Sequence, residues 1–183
     1  PFFDKPIVFY WMQALPMALG FDVEWSARVG GALAGVVLVA VTWWLGTVLA
    51  GPATGVLGAL LMAANPGLFG LARYAILDLP FTTALFAGVA MIAVAMLRQR
   101  NRLEWPGYAL IGVATAIKGP LALVLCGLVF AATAAVSADL RRRLFGLRWV
   151  RGLLIAGGIG AVWPAYMLWR FGQLFVDNYL LKE

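Results

Sequence analysis

Long apolar runs separated by short charged groups dominate the chain. Four of them cover residues 29–50, 56–75, 80–97 and 150–169. Each is long enough to cross a hydrocarbon core of about 30 Å as a helix that rises about 1.5 Å per residue. The pattern therefore predicts four membrane-spanning helices.

A fifth apolar segment, residues 105–137, is too long for one span, and Lys118-Gly119-Pro120 interrupts it. Glycine and proline at such a point indicate a break in the helix. We expect a hairpin of two crossings with this tripeptide at its tip. The fold class is thus predicted to be all-α, a polytopic transmembrane helical bundle with about six membrane crossings.

The arginines support the hairpin. One group, 98–102, follows the third run, and a second, 141–151, precedes the last. Cytoplasmic loops collect Lys and Arg, so both groups are expected on the cytoplasmic side, with an even number of crossings between them. Eight arginines against Glu104 and Asp139 leave +6 on this side, which equals the net charge of the whole chain.

The segment before the first run is rich in aromatic residues but is broken by Pro6 and Pro16. It favours an interfacial helical segment lying on the outer face. We expect a single transmembrane domain over 1–183, made of an interfacial segment (1–27), a bundle (28–169) and an outer-face tail (170–183). The chain starts at Pro1 and stops in mid-pattern, and we expect an internal fragment of a larger membrane protein.

Composition narrows the function classes. The 183 residues are 63% apolar and 12% charged, which excludes an ordinary soluble domain. One cysteine and no histidine exclude a disulfide framework, Ser-His catalysis and a histidine metal site. The positive excess is an orientation signal, so nucleic acid is not expected as a partner. No metal ligands are predicted, and the use of a metal cofactor is left open.

Charged residues near a bilayer are costly and are functional candidates by default. On the six-crossing topology, acids and bases of both signs share the outer side, which suggests a site for an anionic, partly polar ligand. The set is Asp4, Lys5, Asp22, Glu24, Arg28, Arg73, Asp78 and Lys118.

Each of these charges also has a purely structural interpretation. Asp22 and Glu24 suit the start of a helix, and Arg28 lies one turn from Glu24. Arg73 and Asp78 can pair across a turn, and Lys118 can extend from a helix end towards the interface. The Gly31-to-Gly35 stretch is typical of a small-residue packing face, and Cys126 of a buried apolar residue.

The order of the short motifs is more specific than any one of them. The motifs are, in order, Phe3-Asp4-Lys5-Pro6 with Tyr10-Trp11, Ala27-Arg28, Ala72-Arg73-Tyr74 with Asp78-Leu79-Pro80, and Lys118-Gly119-Pro120. In this ordered set the chain resembles the GT-C class of membrane glycosyltransferases, and within it the aminoarabinose transferase and protein O-mannosyltransferase group.

The resemblance implies a transferase that moves a sugar from a polyprenyl-phosphate carrier to an acceptor on the periplasmic face of the bacterial inner membrane. It places Lys5 at the lipid-phosphate site and Asp78 beside the active cavity. We expect Arg73 to hold Asp78 ionised, and both are catalytic candidates. The candidates for binding substrate or lipid phosphate are Lys5, Asp4, Arg28 and Lys118.

Two departures from the family pattern matter. The second proline of its Lys-Pro-Pro motif is Ile7 here. Its principal catalytic acid is expected upstream of Pro1, so the chain alone should be inactive. The expected partners are membrane lipid and the polyprenyl-phosphate-linked sugar, and a membrane protein complex is a further expected partner. A non-catalytic membrane subunit or scaffold is the alternative function. A transporter ranks last, because few polar residues lie in mid-span.

Overall fold

The computed structural model describes residues 7–179, with side chains through residue 176. In this part of the chain every regular element is helical. The α-helices are α1 Val8–Ala18, α2 Val23–Ala50, α3 Pro52–Ala63, α4 Pro66–Arg73, α5 Asp78–Arg98, α6 Glu104–Lys118, α7 Leu121–Val136, α8 Ala138–Phe145, α9 Trp149–Phe171 and α10 Gln173–Tyr179, and a short 3₁₀ helix covers Asn101–Leu103.

The first long helix, α2, begins earlier than its apolar run predicted. Asp22 caps it: a carboxylate oxygen accepts a hydrogen bond from the Glu24 backbone N–H at 2.9 Å. Such a cap satisfies one of the N–H groups that a helix start leaves without a partner. Helix α2 therefore begins at Val23, inside the segment assigned to the interface, instead of at residue 28 or 29.

The second predicted span is broken rather than continuous. Helices α3 and α4 meet at an angle of 58°. Pro66 cannot supply the backbone N–H that a continuous helix needs, and the Asn65 side chain accepts a hydrogen bond from the Leu68 N–H at 3.1 Å instead. The apolar run alone gave no sign of this bend, although the Asn-Pro pair is a recognised turn signal.

The helices alternate in direction. Helices α2 and α5 run parallel, because Thr83 in the second turn of α5 donates to the Ala34 carbonyl in the middle of α2, and Arg98 at the end of α5 donates to the Val48 carbonyl near the end of α2. Helices α5 and α6 run antiparallel and pack closely: a Cβ on Gly88 would lie 2.8 Å from the Gly107 carbonyl oxygen. The small-residue face on α2 is confirmed, with Gly31 against the backbone of α4 and the segment that follows it.

The predicted hairpin is confirmed. Helix α6 ends at Lys118, Gly119 takes a positive φ of 75°, and α7 begins at Leu121. Helix α7 then returns along α6, since buried Cys126 packs in the same cluster as Ile111. Further on, the rings of Phe130 and Trp149 lie 4.9 Å apart.

Within residues 7–179, fewer helices are long enough to cross a membrane on their own than six crossings would need. Helices α2, α5 and α9 are long and apolar enough to cross a membrane, and the bent pair α3–α4 makes a fourth if it counts as one span. Helices α6 and α7 have 15 and 16 residues, about 22–24 Å of helix against a core of about 30 Å. The described part of the chain contains six alternating helical segments, but six crossings stay a prediction.

The bundle has two chemically different ends. The mixed-charge end holds the starts of α2 and α5 and the end of α6, with Asp22, Asp78 and Lys118. The arginine-rich end holds Arg98 and α8, whose Leu144 packs with Ile92 and Tyr108. Lys118 and the 141–151 arginines are therefore at opposite ends, as the charge pattern predicted.

Candidate functional site

An ion pair joins two helices at the mixed-charge end. Asp78, in the first turn of α5, accepts a hydrogen bond from the ammonium of Lys118 in the last turn of α6. Each charge suits the dipole of its own helix end. The two side chains are 49% and 34% exposed respectively, so the pair remains open to a ligand.

Aromatic rings support this pair. The Lys118 ammonium lies 5.4 Å from the centre of the Phe81 ring. Phe81 belongs to a buried cluster with Phe9 of α1 and Ile117 of α6. The rigid apolar cluster thus fixes the helix ends from which Asp78 and Lys118 extend.

The predicted pairing of Arg73 with Asp78 is wrong. Both residues lie in the described part of the chain, and no ion pair joins them. The backbone becomes extended at Tyr74 (φ −95°, ψ 145°), and α5 then begins beside α6. Arg73 packs over the ring of Phe69 on its own helix, 5.4 Å from the ring centre.

Arg73 instead shares a cleft with Arg28. This α2–α4 cleft has a volume of about 740 Å³ and lies between the start of α2 and the end of α4. Asp22 and Glu24 also line it, and the stacked rings of Phe21 and Trp25, 5.3 Å apart, form part of its wall. Asp78 is not among its lining residues, so the sequence-predicted candidates separate into two groups.

The structural interpretations of the α2 charges are confirmed. Arg28 pairs with Glu24 at 2.7 Å, four residues earlier on the same helix. Both side chains are more than half exposed, so the pair contributes little to stability, about 0.5 kcal/mol or less. Its contribution is to hold one guanidinium and one carboxylate at the wall of the cleft.

The two remaining candidates, Asp4 and Lys5, lie outside the described residues. Among the described residues, an apolar groove of about 610 Å³ runs between α1, α6 and α9. Ile7, Trp11, Val113 and Ala116 are among its lining residues. Ala116 is in the last turn of α6, so the groove reaches the helix end that carries Lys118, although neither Lys118 nor Asp78 lines it.

A buried carboxylate at the arginine-rich end was not expected from the sequence. Glu104 is only 4% exposed and accepts a hydrogen bond from the backbone N–H of Arg148 at 3.2 Å. The charge pattern assigns Glu104 only to the cytoplasmic side, whereas in the structure it starts α6 and holds the turn before α9. No local signal marks this contact, because the two residues are 44 positions apart.

No group of three or more Asp, Glu, Cys or His side chains suited to a metal ion occurs among residues 7–176, where side chains are described.

Comparison with known sequences gives a consistent result. The family described as dolichyl-phosphate-mannose-protein mannosyltransferase matches residues 4–169. Undecaprenyl phosphate-alpha-4-amino-4-deoxy-L-arabinose arabinosyl transferase 1 of Pseudomonas fluorescens (strain Pf0-1) is 37% identical over 131 residues, 68% of this chain and 23% of that protein. The corresponding transferase of Edwardsiella ictaluri (strain 93-146) is 30% identical over 129 residues, with the same coverage. The chain spans about a quarter of the length of these relatives.

Solved structures agree on the fold. The apo crystal structure of ArnT from Cupriavidus metallidurans superposes with a TM-score of 0.89, at 22% identity, over 100% of this chain and 34% of that chain. ArnT bound to undecaprenyl phosphate gives a TM-score of 0.84, at 23% identity, over 98% and 34%. At this identity the likeness establishes the arrangement of helices alone.

Proposed function

Because the chain belongs to the dolichyl-phosphate-mannose-protein mannosyltransferase family, we propose that the whole protein is a membrane glycosyltransferase. It transfers a sugar from a polyprenyl-phosphate carrier to an acceptor. The relatives named as undecaprenyl phosphate aminoarabinose transferases support this donor class. So does the ArnT structure that binds undecaprenyl phosphate.

The observation that carries the proposal is the ion pair between Asp78 and Lys118. It presents an ammonium and a carboxylate side by side, partly exposed, at the ends of two packed helices. Glycosyl transfer from a phosphate carrier needs both charges: a cation for the phosphate that leaves, and an acceptor for the proton of the attacking group.

Lys118 is proposed to bind the carrier phosphate. An ammonium is a compact charge whose three donors adapt to phosphate oxygens. A phosphate that approaches Lys118 competes with Asp78 for the same ammonium. Lys5, the second proposed phosphate ligand, is assigned by family resemblance.

Asp78 is proposed to orient the acceptor or to take its proton. In the reaction, the acceptor forms a bond to the anomeric carbon and the bond from that carbon to the carrier phosphate oxygen breaks. The polyprenyl phosphate leaves with the electron pair of that bond. Once a phosphate engages Lys118, the carboxylate of Asp78 becomes free for the acceptor.

Arg73 is not proposed to act directly with Asp78, because it faces the α2–α4 cleft. The apolar groove between α1, α6 and α9, which reaches the helix end of Lys118, is proposed to hold the first part of the polyprenyl chain. Its walls are apolar and aromatic, with Trp11 and Trp163 among them, which suits an isoprenoid chain.

The protein is proposed to reside in the bacterial inner membrane with the Asp78–Lys118 pair on the periplasmic side. The arginines of α8 at the opposite end support this orientation, since such groups remain cytoplasmic. Association with other membrane proteins is a further prediction.

A transfer assay with the whole protein tests the proposal. Purified protein in detergent receives an undecaprenyl-phosphate-linked aminoarabinose and a lipid acceptor, and mass spectrometry follows the product. Asp78→Asn is expected to lower the rate at least about 100-fold, a typical contribution of an acid–base group. The matched control is Asp139→Asn, which removes an exposed carboxylate paired with Arg143 at the arginine-rich end and should keep nearly full activity.

If the wild-type protein binds undecaprenyl phosphate but transfers no sugar, the transferase proposal is wrong and the non-catalytic scaffold is favoured. Equal activities for the two variants would be consistent with a transferase but would show that Asp78 does not take part in the reaction.

A further inference from the structure

The α2–α4 cleft carries charges that the proposed reaction does not use. Arg28 and Glu24 pair through one carboxylate oxygen, and Asp22 caps α2 through one of its own. Each carboxylate therefore keeps a second oxygen without a hydrogen bond among the described residues. The guanidinium of Arg73 packs on Phe69 and, in the same part of the chain, has no carboxylate partner.

An apolar trough continues from this charged cleft. It has a volume of about 470 Å³ and shares Ala32, Ala72 and Arg73 with the cleft. Val36 and Val39 of α2 and Leu68 of α4 line it further down. From Arg28 to Val39 the two spaces together follow α2 for about 16 Å. The combination has the form of a headgroup site with a channel for one lipid chain.

We propose that this cleft and trough bind a membrane phospholipid whose headgroup carries both a phosphate and a primary ammonium, as phosphatidylethanolamine does. The phosphate contacts Arg73 and Arg28, the ammonium contacts Asp22 and Glu24, and one acyl chain occupies the trough. Arginine offers paired donors that match phosphate oxygens.

The carboxylates select the headgroup. A primary ammonium donates three hydrogen bonds and satisfies their remaining oxygens. A choline group has the same charge but no N–H to donate. A headgroup with phosphate alone would bring its negative charge against two carboxylates, and such repulsion creates specificity. The site is independent of the proposed transferase activity, because Asp78 and Lys118 do not line it.

Native mass spectrometry of the delipidated whole protein tests this proposal. The protein in detergent is titrated separately with dioleoyl phosphatidylethanolamine, phosphatidylcholine and phosphatidylglycerol. We expect phosphatidylethanolamine to bind about tenfold more tightly than either of the others, the effect of one charge-assisted hydrogen bond. Undecaprenyl phosphate at saturation should leave this binding unchanged, since its phosphate belongs at Lys118.

Three variants give the residue-level test. Arg73→Gln should weaken phosphatidylethanolamine binding about tenfold, while Arg151→Gln, which removes a guanidinium packed over Trp105 at the opposite end, should not. Glu24→Gln frees Arg28 and removes one carboxylate, so the preferred lipid should change to phosphatidylglycerol.

The trough is tested by filling it. Ala32→Phe should weaken binding of all three phospholipids, and Ala40→Phe, on an exposed position of the same helix outside the trough, should not. Melting temperatures of all variants check that each is folded.

The proposal is overturned by equal affinities for the three phospholipids, by wild-type binding in Arg73→Gln, or by displacement with undecaprenyl phosphate. The last result would make the cleft part of the donor site. Tight binding of phosphatidylglycerol to the wild-type protein would show that the site does not need a headgroup ammonium, and this would also overturn the proposal.

Discussion

The two ends of the bundle use similar charges in different ways. At the arginine-rich end, the charged contacts between separate helices are to the backbone: Arg98 donates to the carbonyls of Val48 and Leu49 at 2.9 and 3.0 Å, and Glu104 accepts from the Arg148 N–H. The ion pair of Asp139 and Arg143 at this end lies within one helix. At the mixed-charge end, Asp78 and Lys118 bind each other across two helices and remain partly exposed. A charge that satisfies the backbone is occupied, whereas a partly exposed side-chain pair can exchange partners with a ligand.

The largest expected effect is a difference in maleimide labelling between the two ends, which are predicted to lie on opposite sides of the membrane. In the whole protein with every native cysteine, including Cys126, replaced by alanine, Ala75→Cys should react with a membrane-impermeant maleimide in intact cells. Arg141→Cys should react only after permeabilisation, because the arginine-rich end is predicted to be cytoplasmic. Both parent side chains are exposed, so lack of access should reflect the membrane. Labelling of both from the same side would refute the orientation and the hairpin.

The next effect separates the two ends by ligand binding. Lys118→Gln should weaken the affinity of the whole protein for undecaprenyl phosphate by about tenfold or more, because a charged hydrogen-bond donor is lost. Arg151→Gln is the matched control, since each cation lies over an aromatic ring at its own end. Binding measured in detergent should distinguish them, and equal losses would mean that only general surface charge matters.

A packing change should affect the arginine-rich end. A Cβ on Gly152 would lie 2.4 Å from the ring of Tyr108, so Gly152→Ala forces the ring or α9 to move. We expect a loss of about 1–3 kcal/mol in unfolding free energy, visible as a lower melting temperature in detergent. Gly157→Ala, on the same helix with nothing within 4 Å of its Cβ, should be neutral or slightly stabilising. Equal melting temperatures would contradict the close α6–α9 approach.

The smallest effect concerns the contact of Arg98 with the C-terminal end of α2. Arg98→Ala removes two hydrogen bonds to the last carbonyls of that helix and should cost about 1 kcal/mol. Hydrogen exchange should accelerate in the last turn of α2, whereas Arg102→Ala, at an exposed neighbouring position, should leave it unchanged. Unchanged exchange in Arg98→Ala would show that the exposed cap is replaced by water.

The sequence by itself determined the helical class, the hairpin at Lys118-Gly119-Pro120 and the separation of the charges into two ends. These features are local: a helix needs an apolar run of sufficient length, and glycine followed by proline ends it wherever it lies. The bend at Asn65-Pro66 had a local signal as well, although the apolar run concealed it.

Only the tertiary structure decided which charges meet. Asp78 lies five positions after Arg73, yet it pairs with Lys118, 40 positions away. The packing of α5 against α6 brings the start of α5, with Asp78, beside the end of α6, with Lys118. Between Arg73 and Asp78 the backbone becomes extended at Tyr74, where α4 ends. Local spacing measures distance along the chain, but the contacts between helix ends depend on how the helices pack, and that follows from side chains throughout the bundle.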